Sequence, residues 1–100
     1  MTFTNLINQN KRVLIDFYAD WCGPCKMMSP ILEDVKSELG EEVIIVKIDV
    51  DKNLGIATKF LVRGVPTLML FQSGKMLWRQ SGVIRKEELI NIIDSHKIQV

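Results

Sequence analysis

The chain is predicted to be an α/β protein with a mixed central sheet of about four strands and helices on both faces. Two nearly continuous apolar runs, Val13 to Ala19 and Val43 to Val50, have the β-branched and aromatic make-up of buried strands. Segments with apolar residues at helical spacing alternate with them. Two further strand-like runs, Thr67 to Gln72 and Met76 to Ser81, are separated by Ser73-Gly74-Lys75 and read as an antiparallel hairpin. Strands joined through helices should run parallel by right-handed crossovers, so the predicted order is α-β-α-β-α-β-β-α.

Phe3, Leu6 and Ile7 share a helical face, with Thr2 placed to cap the helix. The first strand comes after the polar connection Asn8 to Arg12. Pro24 suits the first turn of a second helix, where its missing N–H is not needed. Met28, Ile31, Leu32, Val35 and Leu39 continue that helix until Gly40 closes it. Pro30 lies inside it, which predicts one bent helix rather than two. After the second strand, Asp51 to Asn53 turns the chain. Leu54, Ala57 and Leu61 then predict a helix to about Val62, broken by Arg63-Gly64-Val65-Pro66. Leu89, Ile92 and Ile93 predict a last helix from about Lys86 to Ser95, with Glu87 and Glu88 favourable in its first turn and no good cap before it. No repeat or linker interrupts the 100 residues, which read as a single domain.

With 13 basic and 12 acidic residues the formal charge is +1, and the cations form no stripe, which argues against nucleic acid as a partner. Apolar runs reach four residues at most, so no membrane-spanning helix is expected. Met1 to Asn10 lacks the pattern of a secretory signal, which places the chain in the cytoplasm unless it is a processed form. In that compartment thiols are kept reduced, and a close cysteine pair is catalytic or metal-binding rather than a structural staple.

Both cysteines lie in Trp21-Cys22-Gly23-Pro24-Cys25-Lys26, between a predicted strand and a predicted helix. One helical turn apart, their sulfurs are close enough to form a disulfide. At the helix N-terminus Cys22 meets unpaired N–H groups and the positive end of the dipole, which favour the nucleophilic thiolate. Cys22 can attack a disulfide in another molecule, and the deeper Cys25 can resolve the mixed disulfide. Zinc takes four ligands, and two cysteines with the remote His96 would need a second chain to complete a site; a bridged iron–sulfur dimer has the same difficulty. A structural disulfide closing so short a loop would constrain little of the unfolded chain. His96 reads as a solvated residue near a helix end.

Asp16 interrupts the first core strand and Lys47 the second, each where the pattern calls for an apolar residue. Neither should be buried unpaired. Adjacent parallel strands could bring them together, and a carboxylate beneath the cysteine pair would have a raised pKa suited to proton transfer. Strand alternation could instead point one or both outward.

The run Asp16-Phe17-Tyr18-Ala19-Asp20-Trp21-Cys22-Gly23-Pro24-Cys25-Lys26, together with Arg63-Gly64-Val65-Pro66-Thr67, resembles the thioredoxin family. The resemblance extends from about Phe3 to the last helix. It implies a thioredoxin fold, with Cys22 attacking, Cys25 resolving, Asp16 transferring protons and Lys47 modulating it. Pro66 matches the family's cis-proline, an assignment that rests on resemblance because only about 5% of X-Pro bonds are cis. Val65 would pair its backbone with the client, and Trp21, Gly23, Pro24, Gly64, Gly82 and Val83 would complete the rim that receives it. The resemblance further implies no bound cofactor or metal and a separate thioredoxin reductase that draws on NADPH or ferredoxin. Partners would be that reductase and disulfide-containing client proteins. Gly23-Pro24 favours reduction, since oxidases and isomerases of the fold more often carry histidine there.

Three departures stand out. Tyr18 replaces a common tryptophan, and Arg85 replaces a serine cap. The family's usual strand before the first helix has only Met1 and Thr2 available here. Without it the Val43 to Ile48 edge is expected to be exposed, in a monomer capable of weak pairing through that edge. The reading from these residues is a general protein-disulfide reductase. The alternative is a thioredoxin-fold binding or chaperone subunit indifferent to redox state, which full complementation by a Cys22→Ser, Cys25→Ser variant would favour.

Overall fold

The computed structural model describes residues 2–97. The elements keep the predicted order: α1 (Phe3–Ile7), β1 (Arg12–Tyr18), α2 (Gly23–Leu39), a 3-10 turn (Gly40–Glu42), β2 (Val43–Asp49), α3 (Leu54–Lys59), β3 (Thr67–Gln72), β4 (Lys75–Ser81) and α4 (Lys86–Ser95). The sheet order is β2-β1-β3-β4. β1 and β2 are parallel, and β3 runs antiparallel to both β1 and β4.

Strand alternation separates two cores. Leu14 of β1 and Leu68 and Leu70 of β3 face α2 and α4, meeting Met28, Leu32, Val35, Leu89 and Ile93. Val13, Ile15, Phe17, Met69 and Phe71 face the other way, against Ile7 and the half-buried Phe3, Ile56 and Phe60. Phe71 receives Phe3 and Phe60 edge-on, at ring separations of 6.1 and 5.7 Å. Each fully buried Leu, Ile or Phe contributes about 1.5–3 kcal/mol of burial. The two layers clamp β1 and β3 from both sides, so the carboxyl end of β1 is a rigid base for the loop and helix start that carry the cysteines.

Local signals explain most element ends. Thr2 accepts from the Asn5 N–H (3.1 Å) as the cap of α1. α2 runs unbroken through Pro30 and stops at Gly40, whose φ of 55° is open to glycine. In the β3–β4 hairpin Ser73 (φ 50°) and Gly74 (φ 81°) both take positive φ, as a two-residue type I′ turn requires. A side chain at Gly74 would strike the Asn8 side chain at its Oδ1. β4 therefore begins at Lys75, one residue before the expected start. α4 begins after Arg85 with no side-chain cap bond, as its sequence implied.

The third helix is shorter than expected, ending at Lys59 and not near Val62. Leu61 adopts φ 54°, the Leu61 N–H donates to Thr58 O (3.1 Å), and the Val62 N–H donates to Ala57 O (2.9 Å). This is a Schellman ending with leucine where glycine is usual. Leu61 is 62% exposed, and the Arg79 guanidinium covers the Phe60 and Leu61 carbonyls. Leu61→Gly should therefore raise stability by about 1 kcal/mol, the cost of the left-handed conformation for a residue bearing a Cβ. A urea midpoint unchanged or lowered would show that the Leu61 side chain compensates.

Candidate active site

The chain leaves β1 at Tyr18, turns through Ala19-Asp20-Trp21 and enters α2 at Cys22, the helix N-cap. The Cys22 N–H donates to Ala19 O (3.1 Å), closing the turn. The backbone of Cys22 is extended, and its Sγ accepts from the Cys25 N–H at 3.1 Å, where a capping Ser or Asp would put its oxygen. Pro24 sits in the first turn without needing its missing N–H. The sulfur thus faces the positive end of a 17-residue helix, a position that stabilises a thiolate.

Cys22 and Cys25 are joined as a disulfide, with Cα atoms 5.3 Å apart. Cys25 was expected to lie deeper, but both residues are 3% exposed. Both are buried to the same extent. A hollow of about 160 Å³ beside Cys25 is lined by Tyr18, Ala19, Asp20, Lys26, Ser29 and Lys47.

Opposite the sulfurs stands the loop before β3. The Val65–Pro66 peptide is cis, and the Val65 carbonyl is 3.5 Å from Cys22 Sγ. Thr67 holds this loop: its hydroxyl donates to Gly64 O (2.6 Å) and lies 2.9 Å from Ser81 Oγ. The Gly82 N–H donates to Pro66 O (2.8 Å). Three segments distant in sequence, those at residues 22, 65 and 82, are thereby tied to one spot.

Around them the proposed rim is open to solvent. Trp21 is 70% exposed, with its indole N–H donating to Asp51 Oδ2 at 2.9 Å, and Val83 is 39% exposed. Gly23, Pro24 and Gly64 are exposed, and Val65 and Gly82 are half-buried. Trp21, Val50, Val62, Arg63, Gly64 and Val65 line a hollow of about 90 Å³ beside the disulfide.

Asp16 lies on the β1 face shared with Leu14, under α2, and is fully buried. The sequence suggested that it would not be buried unpaired, yet among the described residues neither carboxylate oxygen has a hydrogen-bond partner. Lys47 is its register partner across the parallel strands, but is exposed. The Lys47 ammonium donates instead to Ser29 Oγ (2.6 Å) and stands 4.9 Å from the Tyr18 ring centre. Burial pushes the Asp16 carboxyl up to about 6, and the Lys47 charge pulls only partly against it. His96 lies at the far end of α4, as a C-cap residue.

Sequence reasoning gave no site role to Thr67, Asp51, Ser29 or Met28. The Met28 sulfur accepts from the Ile84 N–H (3.5 Å), fastening the rim segment to α2. Their roles depend on partners 14 to 56 residues away, which no local pattern marks. Among the described residues, no three His, Cys, Asp or Glu side chains group as metal ligands, and no helix is long and apolar enough to cross a membrane.

The family model for thioredoxin matches residues 1–95. A thioredoxin-like protein of Synechocystis is 49% identical over 85 residues, 85% of this chain and 81% of that protein. The bifunctional thioredoxin reductase/thioredoxin of Mycobacterium leprae is 43% identical over 88 residues, 88% of this chain but 19% of that longer protein. Among solved structures, a mutant thioredoxin from Halobacterium salinarum superposes with a TM-score of 0.86 at 39% identity, covering 97% of this chain and 84% of that one. With its cysteine pair at the start of α2 beneath an open rim, the chain belongs to the thioredoxin family and is a thiol–disulfide oxidoreductase.

Proposed function

We propose that the protein is a general protein-disulfide reductase. The observation that carries this reading is the Cys22–Cys25 disulfide at a helix N-terminus, framed by an exposed, largely apolar rim. In the reduced protein the Cys22 thiolate attacks one sulfur of a client disulfide. The client's other sulfur leaves as a thiolate, and a mixed disulfide forms on Cys22. Asp16 takes the proton of the Cys25 thiol. Cys25 then attacks Cys22 Sγ and expels the second client thiolate, leaving the client reduced by two electrons and the Cys22–Cys25 bond formed.

Burial and the Lys47 charge together set Asp16 near 6, so at neutral pH it is mostly ionised and ready to accept that proton. Lys47 acts as a positioning residue through this charge. Pro66 shapes the loop that offers the Val65 carbonyl to a client backbone, beside the rim of Trp21, Gly23, Pro24, Gly64, Gly82 and Val83. Electrons return from a separate thioredoxin reductase, a pairing supported by the Mycobacterium leprae relative whose name joins both activities. The reducing cytoplasm is the compartment where such a cycle would run. Purified protein with dithiothreitol should accelerate insulin disulfide reduction well beyond dithiothreitol alone; equal rates would sink the reading.

A further inference from the structure

β2 is an edge strand, paired with β1 on one side only among the described residues. The Val50 N–H donates to Tyr18 O (2.9 Å), and residues of a parallel strand turn their backbone groups alternately toward and away from the neighbour. Ile44, Val46 and Ile48 therefore face β1, while Ile45 and Lys47 hold N–H and C=O outward. The outward carbonyls at either end are occupied: Lys36 Nζ donates to Val43 O (2.8 Å) and Asn53 Nδ2 to Asp49 O (3.0 Å). What remains is a short open template at Ile45 and Lys47.

Its side chains are equally suited to receive a strand. On one face Val46 and Ile48 join Phe3, Leu6 and Ile56 in lining an apolar hollow of about 220 Å³. On the other, Ile45 and Lys47 line a second, of about 240 Å³, with Leu32, Glu33 and Lys36. Edge strands are usually protected by proline, a bulge or several charges. Of the two charged residues of β2, Asp49 is buried at its end and Lys47 is turned back onto Ser29 and Tyr18.

We propose that this edge pairs with β2 of a second copy, antiparallel about a two-fold axis at Val46. A two-fold perpendicular to the sheet requires some residue to lie opposite itself, and charge selects which. An axis at Lys47 sets two ammonium groups against each other. An axis at Ile45 sets Lys47 opposite Val43, where the Lys36 ammonium already sits. An axis at Val46 brings Lys47 of each copy over the other's Ile45 and toward the exposed Glu33 that lines the same hollow. On the opposite face Ile44 meets Ile48 and Val46 meets Val46, closing the apolar hollow. Ile45 and Lys47 become the hydrogen-bonded pairs, satisfying the open template. The self-match of charge and apolar pattern identifies the occupant as a second copy, and antiparallel pairing leaves the two dithiols at opposite ends of the joined sheet.

Sedimentation across a wide dilution series should show the wild-type chain shifting between monomer and dimer. Ile45→Lys, which places a second cation opposite Lys47, should remain monomeric with its insulin-reduction rate per chain unchanged. In a Cys22→Ser, Cys25→Ser background, Val46→Cys should form a covalent dimer with diamide, because non-hydrogen-bonded cross-strand partners suit disulfide geometry. Ile45→Cys, diagonal to its copy, should cross-link poorly. If Ile45→Lys does not fold, the exposed Glu33→Lys should weaken dimerisation several-fold. A wild-type chain monomeric throughout, a dimer indifferent to these substitutions, or cross-linking stronger at position 45 than at 46 would overturn the proposal.

Discussion

Cys25→Ser should convert the protein from a catalyst into a trap. Its Cys22 still sits at the N-cap of α2 and still attacks a client disulfide, but the serine hydroxyl cannot displace the client sulfur. Mixed disulfides on Cys22 should accumulate, be visible on non-reducing gels and dissolve with dithiothreitol. Cys22→Ser should lose insulin reduction altogether and trap nothing, because only Cys22 holds the N-cap position where the Cys25 N–H and the helix dipole stabilise a thiolate. Equal trapping by the two variants would remove the division of labour between the sulfurs. Mass spectrometry of proteins captured by Cys25→Ser from the source cells would then name the clients.

Asp16→Asn should make the protein more stable at neutral pH and slower in turnover. The folded carboxyl titrates near 6 against an unfolded value of 3.8. Because the folded pKa is raised, its favourable contribution is complete below about pH 3.8 and is lost as pH rises through about 6. By neutral pH the difference costs about 3 kcal/mol, at 1.36 kcal/mol per unit. The amide keeps the shape without the charge, so the variant should gain up to about 3 kcal/mol at pH 7 and nothing near pH 3. Denaturation at both pH values checks this; a gain that persists in acid would assign the effect to packing.

The same substitution removes the proposed base for Cys25, so the resolving step should slow by about a hundredfold, at the lower end of general acid–base contributions. In the wild type that step should weaken as pH falls through about 6, and the variant should lack this inflection. Rapid-mixing measurements on the mixed disulfide separate this step from client binding. On the proposed mechanism, the buried charge that costs folding is the one the resolving step uses.

Much of this arrangement was legible in the chain. The buried strands derive from nearly continuous β-branched and aromatic runs, and the hairpin, the long helix opened at Pro24 and closed by Gly40, and the redox pair at its start derive from turn residues, the 3.6 period and the φ preferences of Pro and Gly. The third helix was overextended because Leu61 continues the apolar periodicity of Leu54 and Ala57. Only its positive φ, supported by the Val62 bond to Ala57 and the Arg79 cap, ends the helix. Asp16 and Lys47 were recognisable as anomalies in apolar runs. Which was buried was not, since register and the reach of a lysine stem decide it.

By itself the sequence determined the fold class, the order of elements and the chemistry of Cys22 and Cys25, because these depend on local periodicity and on the nature of thiols. The tertiary structure decided everything that needs two distant segments to meet. It set the Val65 carbonyl 3.5 Å from Cys22 Sγ, bound Thr67 to Gly64 and Ser81, and buried both cysteines to the same extent. Among the described residues it also left the Asp16 carboxylate without a hydrogen bond and the backbone of Ile45 and Lys47 facing out from the sheet edge. The reason is physical: propensity acts over one turn or one strand, whereas hydrogen bonds across the sheet and burial between layers depend on packing the whole chain.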